Sequence, residues 1–258
     1  MRVRISALSW VVVLALASSS RARGQLVVDP LEVVLSTAHP VAVITVRNES
    51  TSTDQATLTF GDWDRAETGE NRFAEVGTRK GSCGALVKAF PLALRVEAHD
   101  QQTVRVALVG PAPTSECWSV VFVEQSAPQA PSGRFGLSYS FRTGIKVYAV
   151  PATSIRDGEI DSVIVRPDSV VRGRQNLIVG FRNVGTSHEV AHGSVEIRRP
   201  DNSVAAKLDI PEFPTLPGAH RSVFVAIPVL PPGRYIALAV LDFGGLEVAA
   251  GELEFELR

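Results

Sequence analysis

Residues 135–151 read FGLSYSFRTGIKVYAVP. Alternate positions from Phe135 onward are apolar or β-forming: Phe135, Leu137, Tyr139, Phe141, Thr143, Ile145 and Val147. Those between are mostly small or polar, and one is Lys146. A period of two puts successive side chains on opposite faces of an extended strand. The pattern therefore predicts a long two-faced strand, over Leu137–Val150, that ends at Pro151 and follows a short Pro- and Ala-rich loop over 125–134.

The same period runs through the chain. It predicts strands over Leu31–Leu35, Val41–Arg47, Ala56–Phe60, Leu92–Val96, Thr103–Val109 and Trp118–Glu124. After Pro151 it predicts Ile160–Val165, Asn176–Arg182, Gly193–Arg198, Val204–Ile210, His220–Ile227, Gly233–Asp242 and Leu246–Leu257. Short strands punctuated by sixteen prolines and twenty glycines, with no helical repeat of comparable length, point to β-sandwiches. The halves begin alike. A β-rich segment, a proline, a turn and a strand ending in Arg-Asn occur over 27–50 and again over 163–185. The expected fold class is all-β, with two tandem immunoglobulin-like β-sandwich domains over residues 25–151 and 152–258.

The first 24 residues predict an export signal. Arg2 and Arg4 precede an apolar run over Ala7–Ala17, too short to span a bilayer comfortably, and Ala22 and Gly24 supply the small residues of a cleavage site. Of 26 basic and 27 acidic residues, removing this segment takes four arginines and no acid, leaving a net charge of −5. A mildly acidic chain without a basic cluster is a poor nucleic-acid binder. In an oxidising compartment Cys83 and Cys117 are expected to pair, closing a loop worth about 4 kcal/mol by chain entropy.

Catalytic patterns are weak. His188–His192 reads HEVAH, matching a zinc-peptidase motif that needs a helix. Only Thr186–His192 lie between Gly185 and Gly193, and strands are predicted on both sides. In a strand, residues four apart sit about 13 Å apart, too far for one metal. The expectation is a polar hairpin loop, with no metal, no cofactor and no catalytic residue. Asp62 and Asp64 in GDWDR are read as solvating a strand end while Trp63 packs inward. Asn48-Glu49-Ser50 fits a glycosylation sequon.

The segment LSYSFRTGIKVYAVP (137–151) resembles the last strand of the first domain in periplasmic pilus chaperones of the chaperone–usher pathway, the PapD-like proteins. Ile145-Lys146-Val147-Tyr148 and Pro151 fit that pattern, as do VDPLEVVL, VRNES, Trp63, Gln102–Val106 and CWSVVFVE. The resemblance covers residues 27–151. It implies a non-enzymatic chaperone that binds and caps pilus-like subunits by donating a β-strand and delivers them to an outer-membrane usher. Phe135, Leu137, Tyr139 and Phe141 would be the donated row. Lys146, one of four lysines, would anchor the subunit's C-terminal carboxylate. Two positions depart from the family: Glu32 stands where an arginine is expected and would repel that carboxylate, and Val150 replaces an arginine before the hinge proline. An exported two-domain adhesion or scaffold module is the rival reading, since fold alone does not fix function.

Overall fold

The computed structural model describes residues 26–110, 113–126 and 140–257. The strands in chain order are β1 (Val27–Asp29), β2 (Glu32–Leu35), β3 (Val41–Arg47), β4 (Asp54–Arg65), β5 (Asn71–Ala74), β6 (Val87–Phe90), β7 (Ala93–Val96), β8 (Gln101–Leu108), β9 (Cys117–Gln125) and β10 (Arg142–Ala149). There follow β11 (Gly158–Pro167), β12 (Gln175–Asn183), β13 (Glu189–Arg198), β14 (Val204–Thr215), β15 (His220–Ala226), β16 (Gly233–Asp242) and β17 (Ala249–Leu257).

The first ten strands make two sheets, ordered β1-β3-β8-β6 and β2-β10-β9-β4-β5, with β7 also on β4. Side chains that alternate inward from both sheets, among them Leu35, Ile44, Val46, Val96, Val104, Val106, Val121, Ile145 and Val147, form one core. The remaining strands make sheets β11-β12-β15 and β14-β13-β16-β17 around a second core that includes Leu177, Phe181, Val195, Ile197, Ala237 and Leu241. Two-sheet packing of this kind is the immunoglobulin-like sandwich, twice over.

The repeated Arg-Asn ending has a structural cause. Asn48 and Asn183 are both buried. Asn48 Oδ1 accepts from Ser50 N at 2.9 Å, and Asn183 Oδ1 accepts from Gly185 N at 2.9 Å. Asn48 Nδ2 donates to Ser52 O and Val96 O; Asn183 Nδ2 donates to Ser187 O and Thr215 Oγ1. Each asparagine thus folds the turn that follows its strand. This also disposes of the sequon reading, because the amide nitrogen that would carry the glycan is buried and doubly bonded. Alanine at either position would leave buried backbone groups unpaired, so each substitution should cost about 2–3 kcal/mol. Urea unfolding of the two single variants checks this; a loss below about 0.5 kcal/mol is what an ordinary surface site gives and would refute it.

Several sequence expectations shift. β4 runs on through GDWDR, so Asp62 is not a solvated end but a fully buried acceptor for Thr78 N, Arg79 N and Ser82 Oγ. Asp64 stays partly exposed and pairs with Arg72 at 2.7 Å. Trp63 packs inward as expected. HEVAH is not a loop: β13 starts at Glu189, so four of its five residues lie in a strand and only His188 precedes it. β14 passes through Pro211 and Pro214, where a strand end was expected; it is an edge strand, and a residue without N–H is tolerated there. Three short strands were not anticipated: β1, cut off by Pro30; β5, which lacks an apolar alternation; and β6, cut off by Pro91.

Candidate functional site

The strand β10 is held differently along its length. On one side β9 runs antiparallel to it throughout, from Arg142↔Glu124 to Ala149↔Cys117. On the other side β2 runs parallel, but only from Lys146↔Glu32 to Ala149↔Leu35. The chain before β2 belongs to the opposite sheet, where β1 pairs with β3, and it crosses over at Pro30. Backbone groups of alternate residues point to alternate sides in such a ladder. Phe141 O accepts from Gln125 N at 2.9 Å, toward β9, while Lys146 N donates to Leu31 O at 2.9 Å, toward β2. Arg142 and Gly144 share the orientation of Lys146, and among the described residues no strand lies there. This half of β10 is an open sheet edge.

Side chains follow the same division. Ile145, Val147 and Ala149 are fully buried in the first core. Phe141, on the same row, is 39% exposed. The row is therefore core where β2 covers it and uncovered just before. On the even face, the Arg142 guanidinium lies 3.5 Å from the Phe122 ring centroid and pairs with Glu124 at 3.0 Å.

Lys146 Nζ forms an ion pair with Glu32, its direct partner in the parallel ladder. Nζ also lies 5.3 Å from the Trp63 ring centroid. Glu32 is thus not turned away, as a free Lys146 would require. It neutralises the lysine, because parallel register brings their side chains together on one face. Exposed pairs of this kind contribute little, about 0–1 kcal/mol.

Beyond Lys146 the even face of β10 meets the second set of sheets. Trp63, Trp118, Val120, Phe122 and Tyr148 pack with Leu216 in a separate apolar cluster. Trp63 Nε1 donates to Ser119 O at 3.2 Å and Trp118 Nε1 to Trp63 O at 2.8 Å, so both indoles are satisfied. Tyr148 stacks on His188 at 4.1 Å between centroids and meets Trp63 edge-on. Burial pushes the Tyr148 phenol well above its ordinary pKa. His188 bonds the buried Glu116 twice, through its backbone N at 2.9 Å and through Nδ1 at 2.6 Å. Its neighbour Glu189 accepts from Asp157 N at 2.8 Å, and burial raises its carboxyl to about 7. Within HEVAH, His188 therefore fastens the junction between the two sandwiches, while Glu189 ties the chain after Pro151 to β13.

The two-sandwich fold is shared with known structures. A chain in the structure of a chaperone–tip adhesin complex of CFA/I fimbriae biogenesis superposes with a TM-score of 0.53 and 12% identity, covering 90% of this chain and 98% of that one. The class 5 fimbriae chaperone CfaA gives a TM-score of 0.51 at 12% identity, over 91% and 99%. The chain shares its fold with this fimbrial chaperone. No protein-family model matches the chain, and no curated protein matches it.

Within this chaperone fold, Cys83 and Cys117 are bonded to each other, with Cα atoms 5.1 Å apart, as expected. The bridge joins the segment before β6 to the start of β9. Of the predicted donor row, Phe141 lies at the mouth of the open edge; Phe135, Leu137 and Tyr139 fall outside the described residues. Among the described residues the strand begins at Arg142, five positions later than predicted. Sequence reasoning missed Glu116, Leu216, Arg65 and Arg221 and gave His188 no role at the junction, because these residues come to it from separate strands and loops. Only the alternation that puts Tyr148 opposite Val147 hinted at a second packed face.

Proposed function

We propose that this chain is a periplasmic chaperone that captures incomplete pilus-like subunits, caps them by lending the strand that leads into β10, and hands them to an outer-membrane usher. The observation that carries this reading is the half-covered β10, whose apolar row leaves the core just where its backbone edge becomes free. A strand added at such an edge gains backbone hydrogen bonds, and alternate side chains fill its partner's pockets. The superposed chaperone–tip adhesin structure supports a subunit as the partner class. In this reading residues 1–24 are a cleaved export signal, 25–151 the strand-lending domain and 152–258 the second domain. The protein has no catalytic step to perform. No helix among the described residues is long and apolar enough to cross a membrane.

Lys146 takes the subunit's terminal carboxylate only by exchanging it for Glu32. Affinity purification from the periplasm, with identification of bound proteins, tests the reading: co-purification of a pilus-like subunit is expected, and recovery of the chain alone from cells assembling such fibres contradicts it. A backbone test isolates the edge. Arg142→Pro removes the outward N–H, whereas Arg142→Ala removes the same side chain and keeps that N–H. Capture should be about tenfold or more weaker for Arg142→Pro than for Arg142→Ala. Equal affinities would mean that the edge is not used.

A further inference from the structure

Two guanidinium groups meet at the junction between the sandwiches without an anion to match them. Arg65 ends β4, and its Nη1 donates to Gly69 O at 2.8 Å. Arg221 stands in β15, 7% exposed, and reaches the same turn; a side chain begun at Gly69 would lie 2.8 Å from its Nη1. Three of their donors are buried and unpaired: Arg65 Nε, Arg221 Nε and Arg221 Nη1. The Phe213 ring, 5.7 Å from the Arg221 guanidinium carbon, offers its face but no acceptor.

Among the described residues, no carboxylate lies within ion-pair distance of either arginine. The acids around them are engaged elsewhere. Glu32 pairs with Lys146, Glu67 Oε2 lies 3.6 Å from His220 Nδ1, and Glu70 accepts from Thr68 Oγ1. Burial holds both arginines below their ordinary pKa and the charge of Arg65 lowers that of Arg221 further; the nearby Glu32 and Glu70 carboxylates offset only part of this. Buried N–H groups of a charged side chain are costly unless paired, and like charges side by side add to the cost. Guanidinium forks match the paired oxygens of a carboxylate, phosphate or sulfate.

We propose that Arg65 and Arg221 form a binding site for a small oxyanion at the junction of the two sandwiches. The site draws on β4, the turn after it and β15, so an occupant ties the two halves together. It does not depend on strand donation.

Titration of the full mature protein with inorganic phosphate, sulfate or acetate, against chloride at constant ionic strength, tests the site. Binding to the folded state raises the melting temperature in a saturable way. At least one oxyanion should do this and shift the arginine Nε–H signals in NMR spectra of the unsubstituted protein. A preference for phosphate or sulfate assigns a tetrahedral ligand, and a preference for acetate assigns a carboxylate. Arg65→Gln and Arg221→Gln should each weaken binding about tenfold or more. Shifts no larger than those given by chloride, or binding undiminished in both variants, would overturn the proposal. If Arg221→Gln does not fold, Arg65→Gln and the Nε–H signals still decide it.

Discussion

Changing Leu137 and Phe141 together to asparagine should abolish partner capture while leaving the thermal transition of the free protein little altered. Phe141 is substantially exposed and packs outside the first core. A large apolar side chain that fills a partner's pocket contributes about 1.5–3 kcal/mol, so losing two removes roughly two to four powers of ten in affinity. Ile145→Ala provides the contrast. Its side chain is on the same row but fully buried, and truncating it should cost about 2–5 kcal/mol of stability. Calorimetry of the free variants and a capture assay separate the two effects. If the Leu137/Phe141 variant melts far below the parent, the row is ordinary core and strand donation loses its physical basis.

Replacing Cys83 and Cys117 together by alanine should lower stability by about 4 kcal/mol, the loop-entropy value for cysteines 34 positions apart. Both cysteines are buried beside the same short ladder, where Cys83 N donates to Trp118 O at 3.1 Å and Trp118 N to Gly81 O at 2.8 Å. Loosening this corner also loosens Trp118, and with it the apolar cluster at the junction. Denaturant unfolding of the oxidised parent and the double variant measures the difference. Midpoints that coincide would show that the surrounding backbone holds the corner without the bridge.

The alternating rows and their prolines made both sandwiches legible from sequence, because a period of two is a local property. Ile145, Val147 and Ala149 face the core as their spacing predicts. What stayed hidden depends on partners far along the chain. Asp62 reads as a surface acid until Thr78, Arg79 and Ser82 are seen to fold over it. His188 reads as a loop residue until Glu116, 72 positions earlier, is placed beside it. Glu32 was read as a departure from the family's pattern; that it pairs with Lys146 follows from parallel register, which no local pattern specifies. The prolines of β14 misled for a similar reason, since only the sheet order reveals that the strand is an edge.

Site-specific photocrosslinking in the producing cell decides whether the strand before β10 is lent to another protein. A photoreactive side chain is placed at position 137, at 141, or at the exposed Val43 on the opposite sheet as a control. Crosslinks from 137 and 141 to one pilus-like subunit, with none from 43, are the predicted result. Crosslinks absent from 137 and 141, or equal from all three positions, would contradict strand donation.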